Sequence, residues 1–545
     1  MTVAQQAELL VPSVVCSAEM AARGGFVRAF LSSALGTGLS RVLGLARDIA
    51  LSNFLGAGSL ADAFQLAFTA PNAFRRFVAD EGLTGALIPT LADAERKEGA
   101  ERARTLANAS FTILMLLCVL LAAIGMVRPD WMVTAFASPK WLAIDSQRLL
   151  AEDLTRILMP LLILVSATSF LEGLLNLRGH FFAPKVAPGL ISAGIIGGLL
   201  FASGADEGSA LPVYAASWGV IVGGVLHVLI NVPWVLKLWG VVKPSFAWRR
   251  PRLGHLLREM SKVVLIGLAA QANILVIRQI ATGIETGALS QYLFANRIID
   301  LAQGIVAVAI GSALLPVVSK AVADADWQRF QTSLNGALRL LAFMLIPAAV
   351  ALAVYATPTV SMIFRHGDFT WADTQNTASA VQWFTPFMLA VAGIGVLKKV
   401  YFSLDKRNAL LVIGIFSVAL TGGLGWLLAE PYGIRGIAAA LSAATVIQLA
   451  IYVGVLHRDI GDKMALGKLT VPLTKMVLAS SPMVPALVWV QTYGDWNKGP
   501  LSPMNWVVFL GGTALGVATY SVAAYALRIE ELTSVTSRVS ARFRR

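Results

Sequence analysis

The stretch TLANASFTILMLLCVLLAAIGMV (105–127) contains no Asp, Glu, Lys or Arg. A helix rises 1.5 Å per residue, so about 20 such residues cross the ~30 Å hydrocarbon core of a bilayer. Similar apolar segments recur on both sides of it, near 28–55, 61–92, 149–176, 184–203, 213–238, 259–282, 289–320, 334–357, 378–404, 408–429, 434–456, 468–491 and 502–527. The composition agrees with that reading. Of 545 residues, 57% are hydrophobic and 14% charged, against roughly 25% charged in soluble domains. Mean hydropathy is +0.70. A soluble enzyme, a disordered scaffold and a secreted disulfide framework are excluded. Cys16 and Cys118, the two cysteines, imply no staple. The expectation is an all-α polytopic membrane protein with about fourteen crossings.

Net charge is +13. In a soluble chain this would suggest nucleic acid; here the excess is expected in cytoplasmic loops. Alternate connections carry Arg96, Lys97, Arg102 and Arg104; Arg178 and Lys185; Arg249, Arg250 and Arg252; Lys398, Lys399, Lys406 and Arg407; Arg458 and Lys463; and the terminal Arg538, Arg542, Arg544 and Arg545. The opposite connections hold few: Arg128, Lys140, Arg148, Arg365, Arg435 and Lys498. The bias places both termini in the cytoplasm. Residues 1–25 lack the basic start of a signal peptide. The expected organisation is therefore a cytoplasmic tail (1–27), a first six-crossing lobe (28–239), a basic linker (240–258), a second six-crossing lobe (259–457), two further helices (468–527) and a basic tail (528–545).

The two lobes read as repeats. GALIPTLADAERKEG (85–99) parallels SALLPVVSKAVADAD (312–326), GSLADAF (58–64) parallels GALSQYL (287–293), and LLNLRGHFFAPKVAPG (174–189) parallels VLKKVYFSLDKRNALL (396–411). Six crossings per repeat relate them by an axis along the membrane normal, with a substrate site at their interface.

An ionisable group inside a crossing costs about 2.5–3.5 kcal/mol on insertion scales and usually faces a cavity or a partner. The first crossing, SSALGTGLSRVLGLARDIALSNFLG (32–56), contains Arg41, Arg47 and Asp48 among Gly36, Gly38 and Gly44. Helical spacing puts Arg41 and Asp48 on nearly one face. The second holds Asp62, then Arg75 and Arg76 beyond Pro71; the eighth holds Arg297 and Asp300 at i, i+3. Arg278 and Arg156 complete the set. Arg–Asp pairing that only orients the bundle is an alternative for Arg278, Arg156 and Arg76. It accounts less well for Arg41, Arg47, Arg75 and Arg297, which outnumber Asp48, Asp62 and Asp300. Planar, permanently charged guanidinium groups suit bidentate recognition of phosphate, so an amphiphile bearing a phosphate or pyrophosphate is the expected ligand. The five histidines show no paired metal spacing, no phosphate-cradling GxxxxGK[ST] loop occurs, and no cofactor is expected. His180, His366 and His457 fall in connections; His366, in FRHGDFT (364–370), would lie beside an outer exit.

SRVLGLARD (40–48), ADAFQLAFTAPNAFRRFVADEG (61–82), GALIPTLAD (85–93), NLRGHFFAPKVAP (176–188), ANRIIDLAQGIVAVAIGSALLPVVSK (295–320) and FRHGDFT (364–370) together resemble the MurJ/MviN family of lipid II flippases. That family sits within the multidrug and oligosaccharidyl-lipid flippase superfamily. The resemblance covers nearly everything after the N-terminal tail. It implies two six-helix lobes forming a V around a central cavity, two C-terminal helices edging a lipid groove, and alternating access. It also implies export of undecaprenyl-pyrophosphate-linked disaccharide-pentapeptide across the bacterial inner membrane for peptidoglycan synthesis. Carried over by position, Arg41, Arg47, Arg75 and Arg297 would bind substrate, while Asp48, Asp62 and Asp300 would pair with or position them. Glu81 falls where the family has an acid after the double Arg, with one extra residue in Asp80-Glu81. Asn296 replaces an acid common before the eighth-helix Arg, and DKRNA (405–409) lacks a Pro seen in many relatives; both departures bear on gating and ion coupling. The implied partners are lipid II, membrane lipid, a coupling ion or the membrane potential, and peptidoglycan-synthesis proteins. Rival readings are a flippase for another polyprenyl-linked glycan, a cation-coupled drug exporter, a glycolipid synthase and a scaffold. Four intramembrane arginines argue against the exporter and the scaffold, and the acidic loop residues do not form the catalytic group a synthase needs.

Overall fold

A polar backbone in hydrocarbon must satisfy its own hydrogen bonds, and a helix does so within one segment. The computed structural model describes residues 35–75, 88–206, 208–245 and 272–533, and their regular structure is helical throughout. Described helices overlap every expected crossing, and nine are long and apolar enough to cross a membrane.

Proline and glycine set the interruptions. The fourth crossing is two helices, Asp145–Leu158 and Leu161–Leu177, separated at Pro160, which has no N–H to donate. The run Arg407–Ile460 spans 54 residues, about 80 Å at helical rise and far more than one crossing needs. Gly433, at φ 59° and ψ −138°, breaks it where two crossings were expected. The expected crossing 61–92 is described over 61–75 and 88–92, and the charged residues begin just beyond its end. Helix Ser59–Arg75 fills its described first part, whereas Ile88–Glu98 carries Asp93, Glu95, Arg96, Lys97 and Glu98. Lys97 and Arg96 reach Asp93 at 3.0 and 3.2 Å and hold its carboxyl below the usual range. That charge density belongs in an aqueous connection.

The chain divides into two compact units. The first comprises residues 1–50, 67–132 and 152–267. Its tightest contact joins Pro188–Phe201 to Leu211–Leu238. There the backbones of Gly194 and Gly198 meet those of Gly219, Gly223 and Ala215 so closely that any Cβ would overlap a carbonyl or Cα of the facing helix. Small residues four apart allow this approach, and packing replaces the absent hydrophobic drive in lipid.

The second unit comprises residues 51–66, 133–151 and 268–545. Its core gathers Leu314, Val318, Phe330, Leu334, Val400, Tyr401 and Tyr452 from four long helices. A second cluster (Phe343, Tyr355, Met476, Met483, Leu487 and Tyr520) fastens the last two crossings to Trp327–Val354. Buried tyrosines bridge helices by donating to backbone carbonyls: Tyr401 to Tyr452 at 2.8 Å, Tyr355 to Val508 at 2.8 Å and Tyr520 to Phe343 at 3.1 Å. In a low-dielectric interior each such donor needs an acceptor.

Candidate functional site

The first helix is described over 35–55. Gly36 lets it pass close to the Phe182–Val186 turn, since a Cβ there would sit 2.8 Å from the Lys185 Cβ. Further along, Arg47 folds back on its neighbour and donates from Nε and Nη2 to one oxygen of Asp48, at 2.8 and 2.6 Å. Successive helical side chains diverge by about 100°, and the length of Arg spans that angle. Arg41 and Arg75 are half-buried in the same unit. Arg297 is half-buried in the second unit, on helix Ala288–Ala323. Asp300, exposed on that helix, accepts from Asn296 at 3.0 Å and Gln303 at 3.2 Å. Arg156 pairs with Asp153 at 2.5 Å on an exposed helix face. Glu81 and Arg76 lie outside the described residues.

Asp62 departs from the expected role of arginine partner. It is fully buried and accepts hydrogen bonds from the Gly287 amide (2.6 Å), the Ser290 amide (2.9 Å) and the Ser290 hydroxyl (2.6 Å). These donors open helix Ala288–Ala323, whose N-cap, Gly287, has no side chain to cap it. The first amides of a helix lack internal acceptors and carry the positive end of its dipole. A carboxylate supplied from 225 residues away fills both needs. Gly287 adopts φ 92°, and a Cβ there would collide with the Ala57 carbonyl, so only glycine permits this docking.

Further contacts within the second unit surround Asp62. The Asp368 amide donates to the Asn53 carbonyl at 3.0 Å. Two glycines with positive φ, Gly56 and Gly367, press against Asp368 and Asn53 respectively. The Ser138 amide donates to the Thr282 hydroxyl at 2.9 Å, Gln279 to the Ala135 carbonyl at 2.9 Å and Gln147 to Thr286 at 3.1 Å. Gln291 reaches Asp373 at 2.9 Å, and Asp373 closes a capping box with Thr370. The FRHGDFT loop is therefore docked against 53–57. Burial lowers the proton affinity of its His366. All these contacts lie at the helix ends opposite the basic connections.

Sequence reasoning missed Gly287, Ser290, Asn53 and Asp368 as partners. One signal was present: GSLADAF and GALSQYL are repeat equivalents, which sets Asp62 against Gln291, each four residues beyond its glycine.

Among the described residues no cluster of His, Cys, Asp or Glu could hold a metal ion. The first unit thus holds an ion pair inside one helix, and the second a buried carboxylate that joins segments remote in sequence.

Comparison with known proteins identifies the family. The family model "Lipid II flippase MurJ" matches residues 51–504. The lipid II flippase MurJ of Burkholderia cenocepacia is 28% identical over 489 residues, covering 89% of this chain and 93% of that protein. A probable lipid II flippase MurJ of Vibrio cholerae is 26% identical, covering 91% and 96%. Among solved structures, "Lipid II flippase MurJ, inward closed conformation" superposes with a TM-score of 0.74 at 21% identity, covering 91% of this chain and 99% of the other. An inward-facing multidrug transporter of the MATE family superposes with a TM-score of 0.61 at 16% identity, covering 79% and 96%. The chain belongs to the lipid II flippase MurJ family.

Proposed function

We propose that this protein is a lipid II flippase: a transporter without covalent chemistry that moves the undecaprenyl-pyrophosphate-linked peptidoglycan precursor to the outer leaflet of the bacterial inner membrane. Both termini face the cytoplasm, and the Asp62 latch lies at the periplasmic end. The observation that carries the alternating-access part is the set of three hydrogen bonds from 287–290 to Asp62. Those bonds exist only while the two segments touch, so opening the periplasmic end must break them. Substrate shifts such an equilibrium only through its differential affinity for the two states. Arg41, Arg47, Arg75 and Arg297 supply that differential by taking the pyrophosphate. Arg47 exchanges one oxygen of Asp48 for phosphate oxygens, a trade that bidentate guanidinium geometry favours. The polyprenyl tail stays in lipid beside the last two crossings. Membrane potential acts on the charges carried through the cycle, at about 2.3 kcal/mol per elementary charge per 100 mV.

The test is complementation. Cells depleted of their own lipid II flippase are supplied with this chain, and lipid II accessible on the outer face is measured. Wild type is expected to restore it, and Arg47→Ala to fail at equal expression. Failure of well-expressed wild type would reassign the substrate to another polyprenyl-linked glycan.

A further inference from the structure

The first unit contains an ionisable pair, His227 buried and Glu172 partly exposed, that the arginine site does not use. His227, on helix Leu211–Leu238, is 4% exposed, and its Nε2 lies 3.1 Å from an oxygen of Glu172 on helix Leu161–Leu177. Both residues lie inside segments long and apolar enough to cross a membrane. An ionisable pair at that depth is costly unless it serves a function. One turn along, Asn231 is fully buried and donates from Nδ2 to the His227 carbonyl at 3.0 Å. The remaining buried polar atoms, His227 Nδ1 and Asn231 Oδ1, have no hydrogen-bond partner among the described residues. With the Nε2–H donating to Glu172, both of these atoms are acceptors, and the pocket lacks a donor.

We propose that His227 and Glu172 form a proton-binding site that couples proton movement to the transport cycle. A proton from water adds to the Nδ1 lone pair, giving an imidazolium paired with the Glu172 carboxylate. The charge of the pair rises from −1 to 0, and the new N–H is the donor the pocket lacks. Release returns the same proton to water, and no other bond changes. The surroundings bring few competing charges. Pro188–Phe201, glycine-locked to the His227 helix, carries no titratable side chain, and the Phe182–Val186 turn brings the exposed Lys185. Of the helices packed on Leu161–Leu177, Ala100–Val127 brings Cys118, with Glu101, Arg102 and Arg104 confined to its start. Ile88–Glu98 brings Asp93, Glu95, Arg96, Lys97 and Glu98, of which Glu95 is held by Arg178 at 2.7 Å. The pair is thus a polar link between Leu211–Leu238 and Leu161–Leu177, where Gly224 also packs against Leu161 and Leu164.

This inference rests on the flippase reading, and its test separates the two. The full chain is reconstituted in liposomes with lipid II and a trapped pH-sensitive dye, and the membrane potential is clamped with potassium and valinomycin. Lipid II translocation and internal pH are followed with and without a pH gradient. For wild type, the gradient is expected to change the translocation rate several-fold, with proton flux that requires lipid II. In His227→Gln and Glu172→Gln, the ratio of rates with and without the gradient is expected to fall to one. Wild-type translocation that ignores the gradient and moves no protons would overturn the coupling and leave the flippase reading intact. Variants responding like wild type would overturn the assignment to this pair. Absence of translocation under any gradient or potential would overturn both readings.

Discussion

Asp48 and Asp62 stand on the first two helices, 14 residues apart, and hold opposite kinds of partner. Asp48 takes the guanidinium of its own neighbour, Arg47, so rigid-body motion of the helix leaves that pair intact. Asp62 takes backbone amides and a hydroxyl from residues 287–290, and any parting of the two segments breaks all three bonds. Under the proposed function, one acid holds a substrate-binding arginine in place, and the other stabilises a conformational state. Acids of similar appearance in a sequence take different roles according to whether their donors move with them.

That contrast is open to direct attack. The largest effect belongs to Arg47→Ala, which removes the guanidinium; translocation is expected to be abolished with expression retained. Arg47→Lys, a point charge without the bidentate fork, should recover only part of it. Asp62→Ala comes next. It removes hydrogen bonds to a charged acceptor and a favourable helix-dipole contact, on the order of 2 kcal/mol or more from the closed arrangement. A cysteine at Asn53, in a background without native cysteines, should then react several-fold faster with an impermeant maleimide added outside. Arg47→Ala should leave that labelling unchanged in the absence of substrate.

Two glycines at matching positions of GSLADAF and GALSQYL, Gly58 and Gly287, separate the effects. Gly287→Val places a Cβ on the Ala57 carbonyl at a φ that side chains rarely adopt, costing about 1–3 kcal/mol of backbone strain. The same labelling is expected to rise. Gly58 has open space where a Cβ would go, and Gly58→Ala should leave labelling and transport near wild type. Equal effects at the two positions would mean that the repeats share the latch symmetrically.

His366 gives a weaker, pH-dependent effect. Burial lowers its proton affinity below the ordinary value near 6.5, so the docked loop prefers the neutral ring. Docking is complete above that ordinary value and weakens as the outer pH falls through it. Asn53 labelling should rise on acidification, and His366→Gln should remove the dependence. Smallest of all is Arg156→Ala. Its ion pair with Asp153 is half-exposed on both sides, and such pairs contribute well under about 1 kcal/mol. Thermal stability and transport should barely change.

Much of the fold was legible because hydropathy and loop charge act through composition alone. The helices, the break near Gly433 and the membrane class follow from local chemistry, whereas the interruption at Pro160 falls inside 149–176, read as one crossing. The arginines were legible for the same reason, since a charge in an apolar run stands out. The role of Asp62 was not. Its donors are backbone amides 225 residues away, and amides leave no side-chain signature. The glycine contact between Pro188–Phe201 and Leu211–Leu238 left a trace in the spacing of Gly194 with Gly198 and Gly219 with Gly223, visible once the two helices are known to touch. His227 and Glu172 escaped because each looks like a lone polar residue until the fold brings them together.

The most direct test of the latch as a state-dependent device is a distance measurement across it. Spin labels at Gly58 and Glu285, both in the second unit, would be followed by pulsed electron resonance in nanodiscs with and without lipid II. A short distance is expected in the absence of substrate, a second and longer population when lipid II is added, and no such population in Arg47→Ala. A single short distance that persists with lipid II in the wild type would contradict the latch.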